Sequence, residues 1–271
     1  FQAEDGIRDS STSRGLGMVL YMFLMIYGAM VMQSVIEEKS SRVLEVVVSS
    51  VRPFELMMGK IFGVASVAVV QVLIWAVLVC GAGAAVMPHV LPDGAMEAAA
   101  ALQQGGGAAT AAAGDFDPET LGAIALATDV GYLAMLFGYL LLFVVGGYLL
   151  YSAMFAAVGS AVDNAQDAAQ LQTPIMIPII LAVIVEMSVL NDPNSPLAFW
   201  FSLIPFTSPV VMMARIPYGI PTWEIVLSLV LLYAAFVGMV WLSAKIYRVG
   251  IFMYGKKPTL REMFRWIRYK Y

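Results

Sequence analysis

Charge is scarce in this chain. Of its 271 residues 13% are charged and 61% hydrophobic, whereas a soluble domain carries about 25% charged residues. So little charge cannot cover a surface in water, and the soluble enzyme classes are excluded. Histidine and cysteine occur once each, as His89 and Cys80. An internal disulfide is therefore excluded, and so is a metal site built on His and Cys, which needs several such ligands. No folded domain carries the basic stripe that a nucleic-acid partner requires, and the net charge is −4, so no nucleic-acid partner is expected. The N-terminal residues lack the apolar core of a signal peptide.

What the chain has instead is uncharged apolar length, with a mean hydropathy of +0.82. Runs at residues 16–36, 61–87, 130–158, 170–190 and 225–244 each match the ~20 residues that cross a ~30 Å hydrocarbon core. The fourth run contains Pro174, Pro178 and Glu186. A further apolar stretch, 196–215, carries Pro205 and Pro209 around Thr207 and Ser208. Two prolines four apart remove two backbone donors in one turn. The stretch reads as a re-entrant helix pair on the outer side or as a kinked sixth span. The fold class expected is an all-α polytopic membrane protein with five transmembrane helices.

Charge placement gives an orientation. Lys245, Arg248, Lys256, Lys257, Arg261, Arg265, Arg268 and Lys270 crowd the tail at 245–271, and the positive-inside rule puts that tail in the cytoplasm. Counting back over five spans places 37–60 inside and 88–129 outside. The latter has six acidic residues, no Lys or Arg, and an Ala/Gly tract around 103–114 expected to be a flexible loop. Residues 1–14 are unlike the rest. They resemble a translated sequencing adapter and are set aside from fold reasoning as a leader, with the native chain expected to begin upstream.

The cytoplasmic segment 37–52 is the most informative. Val43, Leu44, Val47, Val48 and Val51 recur at helical spacing, while Glu38, Arg42, Glu45, Ser49 and Arg52 line the other face. Glu38 and Arg42 form an i, i+4 pair, and Pro53 suits the first position of the next helix. A helix meant for anionic lipid is rich in Lys and Arg. This one balances Glu37, Glu38 and Glu45 against Lys39, Arg42 and Arg52, which suits a protein groove. A solvated linker helix with its apolar side on neighbouring spans is the plainer alternative.

Within the spans, Glu186 is the one carboxylate away from a span end, and intramembrane acids mark transport pathways; an interfacial glutamate reaching headgroups is the other reading. Gln71 is either pathway or interhelical glue. Gly59-xxx-Gly63 and Gly146-Gly147 permit close helix contact. Trp200, Trp223 and Tyr218 fall near the outer boundary and Tyr247 near the inner one, as anchors do. Thr259-Leu-Arg-Glu262 spells a capping box, opening a basic amphipathic helix expected to lie on membrane lipid.

Two motif matches fail on chemistry. Glu37-Glu38-xxx-Arg42 has the pattern of intramembrane CAAX-processing-type proteases, which also need histidines, and His89 falls on the opposite side. Gly250-Ile-Phe-Met-Tyr-Gly-Lys-Lys257 lacks the Ser or Thr that reaches Mg²⁺ in a phosphate-binding loop.

Glu37-Glu-Lys-Ser-Ser-Arg-Val-Leu-Glu45, then Ser49-Ser-Val-Arg-Pro-Phe54 and Gly59-Lys60, resembles the cytoplasmic loop of ABC type-2 permeases of the sodium-extruding NatB type. Gln170-Leu-Gln-Thr-Pro174, Leu203-Ile-Pro-Phe-Thr-Ser-Pro209 and 244–256 agree. The resemblance covers the chain from about residue 16 onward. It implies that 37–52 is a coupling helix seated on a separate ATP-binding subunit, with Glu37, Glu38, Ser41, Arg42, Glu45 and Arg52 at the contact. It places ATP and Mg²⁺ on that subunit and no cofactor here, and implies a second permease copy, an outer re-entrant pair at 196–215 and a prokaryotic cytoplasmic membrane. Such permeases have six spans and a large outer domain after the first; neither the sixth span nor that domain is found in this sequence. The function implied is export of Na⁺ or a small amphipathic compound. A stand-alone channel or ion-coupled carrier using Glu186 is the competing class.

Overall fold

The computed structural model describes residues 5–41, 51–91, 94–103, 118–253 and 259–266. Within them the chain is helical, with short turns and no strand. Five helices are long and apolar enough to cross a membrane: α1 (Asp5–Ser40), α2 (Pro53–Val90), and, after α3 (Ala95–Gln103) and α4 (Pro118–Thr128), the spans α5 (Val130–Ala161), α6 (Ala165–Val189) and α9 (Thr222–Gly250). Two short helices, α7 (Pro196–Leu203) and α8 (Ser208–Arg215), lie between α6 and α9, and α10 (Leu260–Trp266) follows α9. The protein is a multi-pass membrane protein.

In hydrocarbon, helices are not driven together by water. They associate through close packing and interhelical hydrogen bonds. α5 is the axis of the bundle: from Phe143 to its end nearly every residue is buried, against α1, α9, α2, α6 and α8. α1 offers it Leu20, Phe23, Leu24, Tyr27, Val31, Met32, Val35 and Ile36, a stripe at spacings of three and four. α2 offers Met57, Ile61, Ala65, Ala68 and Val72, and then the stripe stops. Beyond Val72, α2 is exposed or half-exposed through Gly83, and a largely apolar groove of about 680 Å³ separates it from Leu133, Ala134 and Phe137 of α5.

Several boundaries differ from the sequence expectation. The first helix runs on through Ser40, so Glu37 and Glu38 close the first span instead of opening a separate helix. Val51 and Arg52 are not helical, and residues 42–50, where most of the expected coupling helix falls, lie outside the described residues. Pro53 does open α2, eight residues ahead of the uncharged run. Glu55 and Lys60 hid those turns from a search for uncharged length, yet the Lys60 ammonium is satisfied by the Ser34 carbonyl and hydroxyl, both at 3.0 Å. The α1 helix also begins inside the segment set aside as a leader.

The segment 88–129 is not one loop. α3 and α4 pack on each other through Ala95, Ala99, Ile124 and Ala125; residues 104–117 lie outside the described residues. Pro174 and Pro178 do not interrupt α6, in keeping with the tolerance of spanning helices for proline. At 196–215 the prolines do break the helix. The turn between α7 and α8 is satisfied from within the bundle: Tyr151 of α5 donates to the Phe206 carbonyl at 2.6 Å, and Thr207 donates to Phe201 at 2.6 Å. Every residue of α8 is buried.

Tyr247, expected as an interfacial anchor, is 0% exposed and belongs to the core. Nearby, the exposed Trp241 pairs with the half-buried Lys245, whose ammonium lies 3.7 Å from the ring centroid. Trp200 and Trp223 are exposed as expected, both against Phe199. The capping box at Thr259 forms, with Glu262 accepting from the Thr259 amide at 3.0 Å. α10 then turns Met263 and Trp266 into the core of the bundle and leaves Arg261 and Arg265 exposed. Gly59 and Gly63 face open space, whereas Gly146 and Gly147 meet Leu232 of α9 and Pro209 of α8.

Candidate functional site

The chain order of the spans puts Ser41, the α5–α6 turn and the end of α9 together at one end of the bundle. Here α1 ends in three consecutive charged residues, of which Glu38 and Lys39 face different neighbours. Glu38 meets the Lys60 ammonium at 2.6 Å and so fastens α1 to α2. Lys39 is 0% exposed. It donates to the Ser160 carbonyl at 2.8 Å and to the Gly250 carbonyl at 2.9 Å, and pairs with Asp163 at 3.1 Å. Ser160 and Gly250 belong to the last turns of α5 and α9, where helix carbonyls lack intrahelical donors and the helix dipole is negative. An ammonium placed there answers both needs, which is what makes its burial affordable.

Of the residues expected at a partner contact, Glu37, Ser41 and Arg52 are exposed at this end. Glu38 is turned to its own chain. Arg42 and Glu45 lie outside the described residues.

At the opposite end Arg215 is 1% exposed. Its Nε donates to the Pro193 carbonyl at 2.9 Å, and its Nη1 donates to Ser202 Oγ at 2.7 Å and meets Glu224 Oε2 at 2.9 Å. Ser228 donates to the Ser202 carbonyl at 2.7 Å. One guanidinium thus joins the α6–α7 turn, α7, α8 and α9, using the fork geometry that suits arginine to buried sites.

Glu186 and Gln71 are not brought together. Glu186 is 2% exposed, with its carboxylate packed against Gly17 of α1, where any side chain would collide with it. Gln71 accepts from the Tyr27 hydroxyl at 3.0 Å. Gly17 and Tyr27 are ten residues apart on α1, or about 15 Å. Gln71 therefore bonds two spans, and Tyr27→Phe is expected to cost roughly 0.6 kcal/mol. A thermal unfolding midpoint within about two degrees of the parent would agree; a fall of ten or more would show a larger role. Among the described residues no group of three His, Cys, Asp or Glu side chains is placed to hold a metal ion.

Sequence reasoning missed Lys39, Asp163, Arg215 and Glu224. Lys39 did carry a signal, since it extends the buried stripe of Val31, Val35 and Ile36 by one turn.

Residues 4–245 match the family model of the ABC-2 family transporter proteins. The chain belongs to the ABC-2 transporter family. The matched region holds α1 from its first residue, including the turns before Gly15, and reaches Lys245 of α9, so Lys39, Asp163, Arg215 and Glu224 lie within it and Gly250 lies beyond it. The uncharacterized protein YhaP of Bacillus subtilis (strain 168) is 27% identical over 246 residues, 90% of this chain and 52% of that protein. The uncharacterized protein MJ1024 of Methanocaldococcus jannaschii is 27% identical over 253 residues, 93% of this chain and 52% of that protein. The ABC-2 chain thus spans about half the length of the curated relatives it matches. No solved structure matches it.

Proposed function

We propose that this ABC-2 chain is the transmembrane permease subunit of an ATP-driven exporter, and that a separate ATP-binding subunit, which holds the ATP and Mg²⁺, docks at the end of the bundle bearing Ser41. The observation that carries the reading is the arrangement at that end. Glu37, Ser41 and Arg52 stand exposed where the 42–50 segment leaves α1 and enters α2, while the neighbouring Glu38 and Lys39 are fastened into α2, α5 and α9. A segment with exposed charges and firm roots can take force from a docked protein and pass it to spans.

Lys245, Arg248, Arg261 and Arg265 belong to this same end, so the positive-inside rule favours it as the cytoplasmic one. The α7–α8 pair, of which α8 is buried throughout, then enters from the outer side, and a second permease copy completes the pathway. The loop motifs that resemble sodium-extruding permeases make Na⁺ the first cargo to test.

The test is purification of the tagged chain from its native membrane in mild detergent. We expect a P-loop ATPase to accompany it. Combining Glu37→Lys with Arg52→Glu is expected to lower that recovery about tenfold, the scale of an interface residue worth 1–2 kcal/mol; Glu38 is left alone because its loss would unfasten α2. Recovery of a folded chain with no ATPase, with nucleotide present, would overturn the reading in favour of a stand-alone carrier.

A further inference from the structure

The end of α1 carries an inference that rests on the permease reading. α1, α5 and α9 meet here backbone to backbone. A Cβ on Gly159 of α5 would lie 2.7 Å from the Met32 carbonyl oxygen of α1. A Cβ on Gly250 of α9 would lie 2.8 Å from both the carbonyl oxygen and Oγ of Ser160 of α5. Lys39 enters this junction with its ammonium between the two helix ends, bonded to both and to Asp163, whose side chain is 31% exposed. Another polar fastening of the same turn, Glu38 to Lys60, ties it to α2.

We propose that Lys39 is a positioning residue for energy coupling: it makes the last turn of α1 move as one body with the ends of α5 and α9. A displacement imposed on the segment after Ser41 then moves three spans together. Without the ammonium, α1 keeps its link to α2 and its apolar packing on α5 but loses the side chain that bonds both helix ends. The load would bend the last turn of α1 before it reached α9.

The experiment uses the chain purified with its ATP-binding partner in lipid nanodiscs. Cys80, which is exposed, is replaced by Ser, and spin labels are placed at Ser40→Cys and Arg248→Cys, both exposed positions flanking the junction. Pulsed electron resonance measures the distance between them before and after trapping with ADP and vanadate. In the parent only a small fraction of the distances is expected to shift on trapping. In Lys39→Met the shifted fraction is expected to rise about two- to thirty-fold, the range seen when a coupling residue is lost, with partner recovery retained. Lys39→Arg, which keeps charge and donors, should restore the parent behaviour.

If Lys39→Met does not fold, Asp163→Asn loosens the same ammonium while leaving the carbonyl bonds, and a smaller shift is expected. Distances in both variants that match the parent, with the partner bound, would overturn the role of Lys39. Absence of any ATPase from the parent preparation would instead overturn the permease reading, and the inference with it.

Discussion

Arg215→Ala is expected to remove about 3–5 kcal/mol of stability, the cost of breaking a buried ion pair by deleting one partner. The substitution strips donors from three acceptors at once: the Pro193 carbonyl, Ser202 Oγ and Glu224. Glu224 is itself 7% exposed and would be left as a buried carboxylate without its cation. Thermal unfolding in detergent should show the loss as a fall of roughly 6–20 degrees for a bundle of this size, at about 2–4 degrees per kcal/mol. A companion variant separates charge from shape. Arg215→Met combined with Glu224→Leu removes both charges and retains volume, and should regain most of the stability, since well-packed apolar replacements of buried pairs are often neutral. If Arg215→Ala unfolds within a degree or two of the parent, the guanidinium is not what holds α6, α7, α8 and α9 together.

Gly159→Ala and Gly250→Ala are each expected to cost about 1–3 kcal/mol, the range for overpacking a close contact. In both cases the added methyl would meet backbone, which has no rotamer through which to escape: the Met32 carbonyl oxygen at 2.7 Å and the Ser160 carbonyl carbon at 2.9 Å. The helices must separate, and the Lys39 bonds at 2.8 and 2.9 Å lengthen with them. Gly63→Ala is the control. Nothing lies within 4 Å of the Cβ it would add, and alanine is the better helix former by about 1 kcal/mol, so no loss is expected. Equal midpoints for all three variants would show that α1, α5 and α9 do not approach as closely as described.

The spans were legible because bilayer thickness leaves a direct mark on sequence: a helix must stay apolar for a fixed length. Their ends were not, because a charged side chain near a boundary reads as an interruption. Lys60 and Lys39 both stand inside continuous helices, and only three-dimensional structure shows the carbonyls that accept from them. The break at 196–215 was legible from Pro205 and Pro209, since missing donors are a local property. That Tyr151, more than fifty residues away in sequence, supplies one of the compensating bonds is not local, and no spacing announces it. The same holds for the candidate site. Glu37, Ser41 and Arg52 were found through a motif in one segment, whereas Lys39 with Asp163, and Arg215 with Glu224, are assembled from separate helices.

The abrupt end of the buried stripe on α2 at Val72 bears on how the bundle deforms. Up to that residue α2 is stitched in, with Tyr148 donating to the Ile61 carbonyl at 2.8 Å and Lys60 bonded to Ser34. Past it, the helix leans over open volume with few side chains to resist it. A rod clamped along half its length has its compliance in the free half, where displacement breaks little packing and costs least. Strain delivered at the clamped half therefore emerges as swing at the other, and the mouth of the groove beside Cys80 and Phe137 opens or narrows while the core around α5 keeps its shape.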